Sequence, residues 1–153
     1  MILGVCPTRN AVVIAHATGK GARFAIASIT SMPFKAQSGA DLKDLRQRLA
    51  ALFARGGTRR RPTIALLGTS SGRFKSAVES IKAEAIAELA AAESGVPVVK
   101  VTAASLKSAL GCAAGQKWQA RAAERFNPAG RRRNWSRGAA GAVAAALKVA
   151  GTA

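Results

Sequence analysis

The pattern of apolar stretches and polar breaks predicts a β-sheet that starts with the first residues of the chain. Ile2, Leu3 and Val5 form an uncharged apolar run, which is typical of a buried strand. Residues 11–17 and 22–30 are also apolar and rich in β-branched side chains, and short turns separate the three segments. The pattern therefore predicts an antiparallel three-strand meander.

After the meander, stretches with helical periodicity alternate with short apolar runs. In chain order, the pattern predicts a helix over 41–55, a strand over 63–67, a helix over 73–94, a strand over 96–101 and helices over 103–110, 116–126 and 137–149. Strand–helix–strand crossovers require parallel pairing. We therefore expect an α/β fold with a mixed five-stranded sheet and helices on both faces, within one domain that spans 1–153.

The charge of the chain narrows the class of partner. The sequence has 24 Lys and Arg residues against 7 Asp and Glu residues, a formal net charge of +17. An excess of this size usually accompanies a polyanionic partner, most often nucleic acid. A basic surface that serves only solubility is the alternative.

Few residues are suited to metal or redox chemistry. Cys6 and Cys112 form neither a disulfide framework nor a metal-ligand pattern, and His16 is the single histidine. We expect no cofactor and no small-molecule substrate.

Met1 leads directly into a strand, and no apolar run approaches the length of a membrane span. We therefore expect a cytoplasmic, nucleoid-associated protein that does not contact membrane.

Four segments of the chain, in order, resemble the RuvC-type Holliday-junction resolvases. The segments are ILGVCPT at 2–8, RPTIALLGT at 61–69, the stretch from VPVVKV to AERF at 96–126, and RGAAGAVAAALKVA at 137–150. The resemblance implies a ribonuclease H-like fold whose central first strand pairs with the fourth. Members of the family act as dimers, so the resemblance also implies a homodimer, for which the Ala-rich helix over 73–94 offers a close-packing face.

The chain departs from the family at the positions of its catalytic carboxylates. The family cleaves phosphodiesters with divalent metals that four acids hold, and those acids correspond here to Cys6, Gly68, Gly138 and Gly141. Hard divalent cations require oxygen ligands, which neither glycine nor a lone thiol supplies. The resemblance therefore implies a degenerate member with no catalytic residues and no metal.

The remaining acids offer no obvious replacement. They are Asp41, Asp44, Glu79, Glu84, Glu88, Glu93 and Glu124. All lie on predicted helices, which we expect to place them away from the strand tips. Glu79 is the nearest candidate because its helix follows Gly68 closely, but we expect its side chain to face solvent.

Several basic and aromatic side chains are candidates for nucleic-acid binding. They are Arg9, Lys20, Arg23, Ser70, Ser71, Arg73, Phe74, Lys117, Arg121, Arg131, Arg132, Arg133, Trp135 and Arg137. Guanidinium groups beside an indole are suited to phosphate contact and base stacking. We expect Trp135 to be exposed, whereas Trp118 fits packing on the sheet as well as it fits contact with DNA. Lys117 corresponds to a phosphate-contacting lysine of the family, and Ser70, Ser71 and Phe74 to a loop that reaches the junction crossover.

These observations predict a non-catalytic protein that binds branched DNA, Holliday junctions or forks, as a pseudo-resolvase. Two alternatives remain open at this point. One is a metal-dependent junction endonuclease with a rearranged site, and the other is an RNA-binding or protein-interaction module on a degenerate ribonuclease H-like fold.

Overall fold

A computed structural model describes residues 1–55, 61–69 and 77–152. Its strands are β1 (Ile2–Pro7), β2 (Ala11–Thr18), β3 (Ala25–Pro33), β4 (Thr63–Leu67) and β5 (Val98–Val101). Its α-helices are α1 (Gly39–Ala54), α2 (Val78–Glu93), α3 (Ala103–Leu110), α4 (Trp118–Phe126) and α5 (Arg137–Thr152). None of the helices in these three ranges combines the length and hydropathy that a membrane span needs.

The five strands form one mixed sheet in the order β3-β2-β1-β4-β5. Strand β1 pairs antiparallel with β2 and parallel with β4, and β4 pairs parallel with β5. The predicted meander and the predicted pairing of the first and fourth strands are both confirmed. Because β1, β4 and β5 run in the same direction, their carboxyl ends meet at one edge of the sheet.

Side chains of the central strand alternate between two cores on opposite faces of the sheet. Leu3 and Val5 belong to the core under α1 and α2, whereas Ile2 and Cys6 belong to the core under α5. The second core also contains residues of α3 and α4, among them Leu106 and Ala122. The expected arrangement of helices on both faces of the sheet is confirmed.

Helix α5 crosses the sheet at very short range. A methyl group on Gly4 of β1 would collide with the backbone carbonyl oxygen of Ala142, so the contact requires a glycine. Residues 138–147 of the helix are buried throughout. A helix that is apolar on every side is typical of one enclosed by other elements, and here these are the sheet, α3 and α4.

The third strand differs most from its predicted bounds. Residues 22–30 do not all extend, because Gly21–Arg23 forms a 3₁₀ turn in which the Phe24 amide donates to the Gly21 carbonyl. Gly21 takes a φ of 53°, which favours glycine. The strand then runs on to Pro33, opposite Ala11, because β2 continues to offer a partner edge there.

Other predicted bounds also shift. Helix α2 begins at Val78, and predicted helical residues 73–76 lie outside the described residues. The predicted strand over 96–101 is shorter because the Val96 amide donates to Ala91 at the end of α2. Helix α4 begins two residues later than predicted, and the last helix continues to Thr152.

Candidate functional site

A groove of about 420 Å³ opens at the sheet edge where the carboxyl ends of β1 and β4 meet. We call it the tip groove, and its walls include Cys6, Gly68, Gly138 and Trp118. Three of the four positions that correspond to the family's carboxylates therefore line one cavity. The fourth, Gly141, lies directly against Cys6. The structure brings together all four positions that the sequence singled out.

Gly138 and Gly141 of α5 have no room for a side chain. A methyl group on Gly138 would stand 2.6 Å from Val13 Cγ2, and one on Gly141 would stand 2.7 Å from Cys6 Sγ. Real Cβ atoms do not approach other heavy atoms that closely. The side chains of Val13 and Thr8 at Gly138, and of Cys6 and Leu67 at Gly141, thus occupy the space that a carboxylate would need, so an acid at either position requires its neighbours to shift.

Cys6 is a core residue. It is 8% exposed, and burial raises the pKa of its thiol to about 12. A thiol with such a pKa stays protonated at neutral pH, and metal ligation and nucleophilic attack both require the thiolate. The side chain at the first carboxylate position therefore fills the core beside Gly141.

One carboxylate does reach this edge of the sheet, and it belongs to Glu84. Its Oε2 accepts hydrogen bonds from the Thr69 amide at 2.9 Å and the Thr69 hydroxyl at 2.6 Å, while Oε1 lies 3.1 Å from Lys100 Nζ. A methyl group on Gly68 would stand 3.7 Å from the same Oε1. The expectation that every acid lies away from the strand tips, with Glu79 the nearest, is wrong for Glu84.

The sequence carried a signal for this placement. Glu84 follows Ala83 and precedes Ala87, and both alanines are buried on the face of α2 that meets the sheet. Positions 80, 83, 84 and 87 share one helical face. An acid within an apolar face needs hydrogen-bond and charge partners, and the hydroxyl of Thr69 together with the ammonium of Lys100 provides them.

The electrostatics of Glu84 indicate a structural ion pair. Burial on its own would raise the pKa of Glu84, but the hydrogen bonds from Thr69 and the charge of Lys100 outweigh it and lower the pKa. The carboxylate is therefore ionised at neutral pH, and both of its oxygens are already engaged. Lys100 also contacts Glu88 at 2.8 Å.

The residues present do not fit the metals that the resemblance implies. Of the four carboxylate positions, three are glycines and one is a protonated thiol, and the nearby Glu84 is paired with Lys100. Within the three described ranges, no group of three or more His, Cys, Asp or Glu side chains converges. Hard cations require several oxygen ligands, so no metal-dependent step is assigned to this groove.

Two predicted binding residues lie next to the tip groove. Arg9 follows the lining residue Thr8, and Lys117 precedes the lining residue Trp118. Arg9 and Lys117 are both exposed. Trp118 is half-buried, contacts the core beneath α5 and also lines the groove, so the predicted packing on the sheet is compatible with an indole that faces the groove.

The predicted basic group in the meander is divided between two ends of the sheet. Arg9 lies in the β1–β2 turn at the carboxyl edge. Lys20 and Arg23 lie in the β2–β3 turn at the opposite edge, because Ala17 pairs with Ile2. Lys20 and Arg23 are exposed, but they do not share a surface with the groove.

Part of the basic loop after α4 holds the fold together. The Arg132 guanidinium donates to the Phe126 carbonyl at 3.0 Å and to the Ile26 carbonyl at 3.2 Å. Arg121 likewise donates to the Leu110 carbonyl at 3.4 Å.

The expected exposure of Trp135 is wrong, because its indole is half-buried against the core beneath α5.

The remaining predicted binding residues fall into two groups. Arg131 and Arg133 are exposed and lie on the same loop as Arg132. Ser70, Ser71, Arg73, Phe74 and the side chain of Arg137 lie outside the described residues.

Comparison with known proteins finds similar structures but no matching sequence family. No family model matches the sequence, and no curated protein matches it. Among solved structures, Thermus thermophilus RuvC in complex with Holliday junction substrate superposes with a TM-score of 0.71 at 19% identity, over 96% of this chain and 90% of that one. The chain has the RuvC fold. A second Thermus thermophilus RuvC structure gives a TM-score of 0.70 at 21% identity, over 96% and 91% of the two chains.

The RuvC fold confirms the ribonuclease H-like architecture that the sequence predicted. At this level of identity the likeness concerns the fold, so residue roles rest on the geometry described above. In this chain the RuvC fold carries an edge groove without a carboxylate among the described residues that line it.

Proposed function

We propose that this protein binds branched DNA, Holliday junctions or forks, without cutting it. The observation that carries the proposal is the composition and packing of the strand tips. All four carboxylate positions lack an acid, and α5 packs against Cys6 and Val13 so closely that Gly138 and Gly141 cannot be replaced by one without movement. A RuvC fold built in this way retains its shape and lacks the donors for metal-assisted hydrolysis.

The charge distribution supports nucleic-acid binding. A metal-dependent nuclease keeps negative charge at its centre, whereas here the described groove lining is uncharged and its neighbours Arg9 and Lys117 are exposed cations. The whole chain carries a formal net charge of +17. Positive charge around an uncharged groove attracts the phosphate backbone and makes affinity dependent on salt.

The similarity of the fold to RuvC is the reason for proposing branched DNA as the ligand. The Thermus thermophilus RuvC that superposes on this chain is bound to a Holliday junction substrate. The fold similarity covers 96% of this chain, which supports a related kind of DNA substrate. On this proposal the protein acts in the cytoplasm on nucleoid DNA, where junctions and forks occur.

The same proposal includes a homodimer formed through α2. Val78, Ile81, Ala85, Leu89 and Ala92 are all exposed and form one stripe along the helix. Val78 is 62% exposed, and Ile81 and Leu89 are close to half exposed. A contiguous apolar stripe of this kind is typical of an interaction surface. Two copies of a helix with alternating alanines can pack closely around a two-fold axis, which favours a second copy as the occupant.

A junction endonuclease with a rearranged site is the second candidate, and Glu84 is the observation that favours it. Its carboxylate lies beside the position of Gly68 at the strand tips. It would have to exchange the contacts with Thr69 and Lys100 for a metal and find further oxygen ligands. A binder therefore agrees better with the observed contacts.

A binding series tests the proposal. The protein would be titrated against a four-way junction, a fork, a linear duplex and a structured RNA at rising salt. We expect the junction and the fork to bind more tightly than the duplex, and part of this preference to survive moderate salt. Equal and salt-labile binding to all four would contradict it, and a preference for the RNA would favour the RNA-binding alternative.

A further inference from the structure

The tip groove has the size and lining of a pocket for a flat aromatic group. Its volume of about 420 Å³ lies within the range of small-molecule sites. Leu67, Ala103 and the indole of Trp118 form hydrocarbon walls, and Trp118 also contacts the core, which holds the ring in place. An indole that is fixed at the wall of a cavity offers a stacking surface for another ring.

The lining favours an uncharged guest over a phosphate. Neither an acidic nor a basic side chain is found among the described residues that line the groove. A phosphate inside would lose its hydration without gaining a cation, which is costly. The cations Arg9 and Lys117 instead adjoin the lining residues in sequence and are exposed. This arrangement places phosphate contacts at the rim and leaves the interior to a neutral group.

The groove also offers polar groups suited to the edge of a base. The Gln119 side chain lines it, and an amide both donates and accepts hydrogen bonds. The hydroxyl-bearing Ser80 lines it as well and is buried. Apolar walls with a few polar groups describe the pockets in which proteins hold a base outside the stack.

We propose that the tip groove receives one unpaired nucleobase of the bound DNA, stacked on Trp118, with the flanking phosphates at Arg9 and Lys117. This inference rests on the proposed function and gives the former metal site a new ligand. Branch points suit such a site, because an unpaired base at a junction costs little energy to turn out of the helix.

The test uses two pairs of DNA probes. One pair is a four-way junction with an unpaired 2-aminopurine at the branch point and the same junction with an abasic residue there. The other pair is a single strand with and without the base. We expect the protein to bind each base-containing probe roughly 5- to 150-fold more tightly than its abasic partner, the range that one stacked base contributes, and to quench the 2-aminopurine emission.

Variants locate the effect in the groove. Ala103→Leu fills the cavity and Trp118→Ala removes the stacking surface, and each should reduce the affinity for the base-containing probe to that for the abasic one. Trp118→Phe keeps an aromatic ring and should retain part of the preference. Ala104→Leu adds the same side chain at the next, exposed position of α3 and should leave the preference unchanged.

The outcomes separate this inference from the proposed function. Tight junction binding with equal affinity for base and abasic probes would overturn the base pocket and leave the junction binder intact. A base preference in the single strand without preference for the junction would support the pocket and contradict the junction proposal. A base preference that survives both Ala103→Leu and Trp118→Ala would also overturn the pocket.

Discussion

A methyl group on Gly141 would stand 2.7 Å from the sulfur of Cys6 and 2.9 Å from Leu67 Cδ2. Gly141 and Cys6 both correspond to carboxylates in the family that the sequence resembles. The contact shows that the two departures are coupled, because the missing side chain on α5 is what lets the helix lie against the strand. Cys6 and Leu67 together fill the space next to Gly141.

Replacement of Gly141 should therefore destabilise the fold. We expect Gly141→Ala to lower the free energy of unfolding by about 1–3 kcal/mol through overpacking, measured by urea denaturation. Gly151→Ala is the matched control, because it lies on the same helix with no atom within 4 Å of an added methyl group. That change should be neutral or stabilise by about 1 kcal/mol.

A second substitution tests the cause. Cys6→Ala in the background of Gly141→Ala removes the closest atom, so the double variant should recover part of the loss. Additive losses from the two substitutions would contradict direct contact as the source.

The second prediction concerns the ion pair at the strand tips. Glu84→Gln removes charge-assisted hydrogen bonds with Thr69 and Lys100 and should lower the free energy of unfolding by about 1–3 kcal/mol. Glu88→Gln is the matched control, because Glu88 also contacts Lys100 but is 43% exposed. Exposed ion pairs contribute little to stability, so Glu88→Gln should lower the free energy of unfolding by less than about 1 kcal/mol.

The pH dependence gives the same pair a second readout. The pKa of Glu84 is lower in the folded protein, so its ionised form stabilises the fold. This contribution is complete above the unfolded pKa and disappears as the pH falls through the folded pKa. The stability difference between wild type and Glu84→Gln should thus be constant near neutrality and shrink below about pH 4. A difference that grows on acidification would contradict the assignment.

The third prediction concerns phosphate contact at the rim of the groove. Arg9→Ala and Lys117→Ala should each weaken binding to all DNA probes and reduce the slope of log affinity against log salt by about one. Lys43→Ala removes an exposed charge from α1, on the other face of the sheet, and is the matched control. A slope change for Lys43→Ala equal to that for Lys117→Ala would mean that binding follows total charge alone.

The fourth prediction concerns the apolar stripe of α2. Ile81→Glu places a charge in the centre of the stripe and should shift the protein from dimer to monomer in sedimentation experiments across a concentration series. Val99→Glu adds the same charge at an exposed apolar residue of β5 and should leave the dimer intact. A wild-type protein that stays monomeric at high concentration would contradict the proposed homodimer.

The sequence predicted the fold well because its elements follow clear periodicities. β1 and β4 are continuous apolar runs, and Leu45, Leu49 and Leu52 of α1 are spaced for one buried face, so element order and pairing followed. The bounds of β3 could not be predicted, because the 3₁₀ turn at Gly21–Arg23 depends on a local backbone conformation rather than on apolar spacing.

The site was predicted less completely. The sequence located Cys6, Gly68, Gly138 and Gly141 but not the collision that a side chain at Gly138 or Gly141 would meet, which depends on the distance between α5 and the sheet. Glu84 was overlooked because its partners come from other parts of the chain, Thr69 from the residues just after β4 and Lys100 from β5. The contact of Arg132 with Ile26 could not be predicted for the same reason, since the acceptor is remote along the chain.

Incubation of a labelled four-way junction with saturating protein and Mg²⁺ or Mn²⁺ tests the central claim most directly. A Holliday-junction resolvase with its catalytic acids intact serves as the positive control for nicking. We predict that the junction is fully bound and that its strands remain intact with either metal. Metal-dependent nicking that Glu84→Gln abolishes would contradict the account and show that the groove assembles a catalytic centre around that carboxylate.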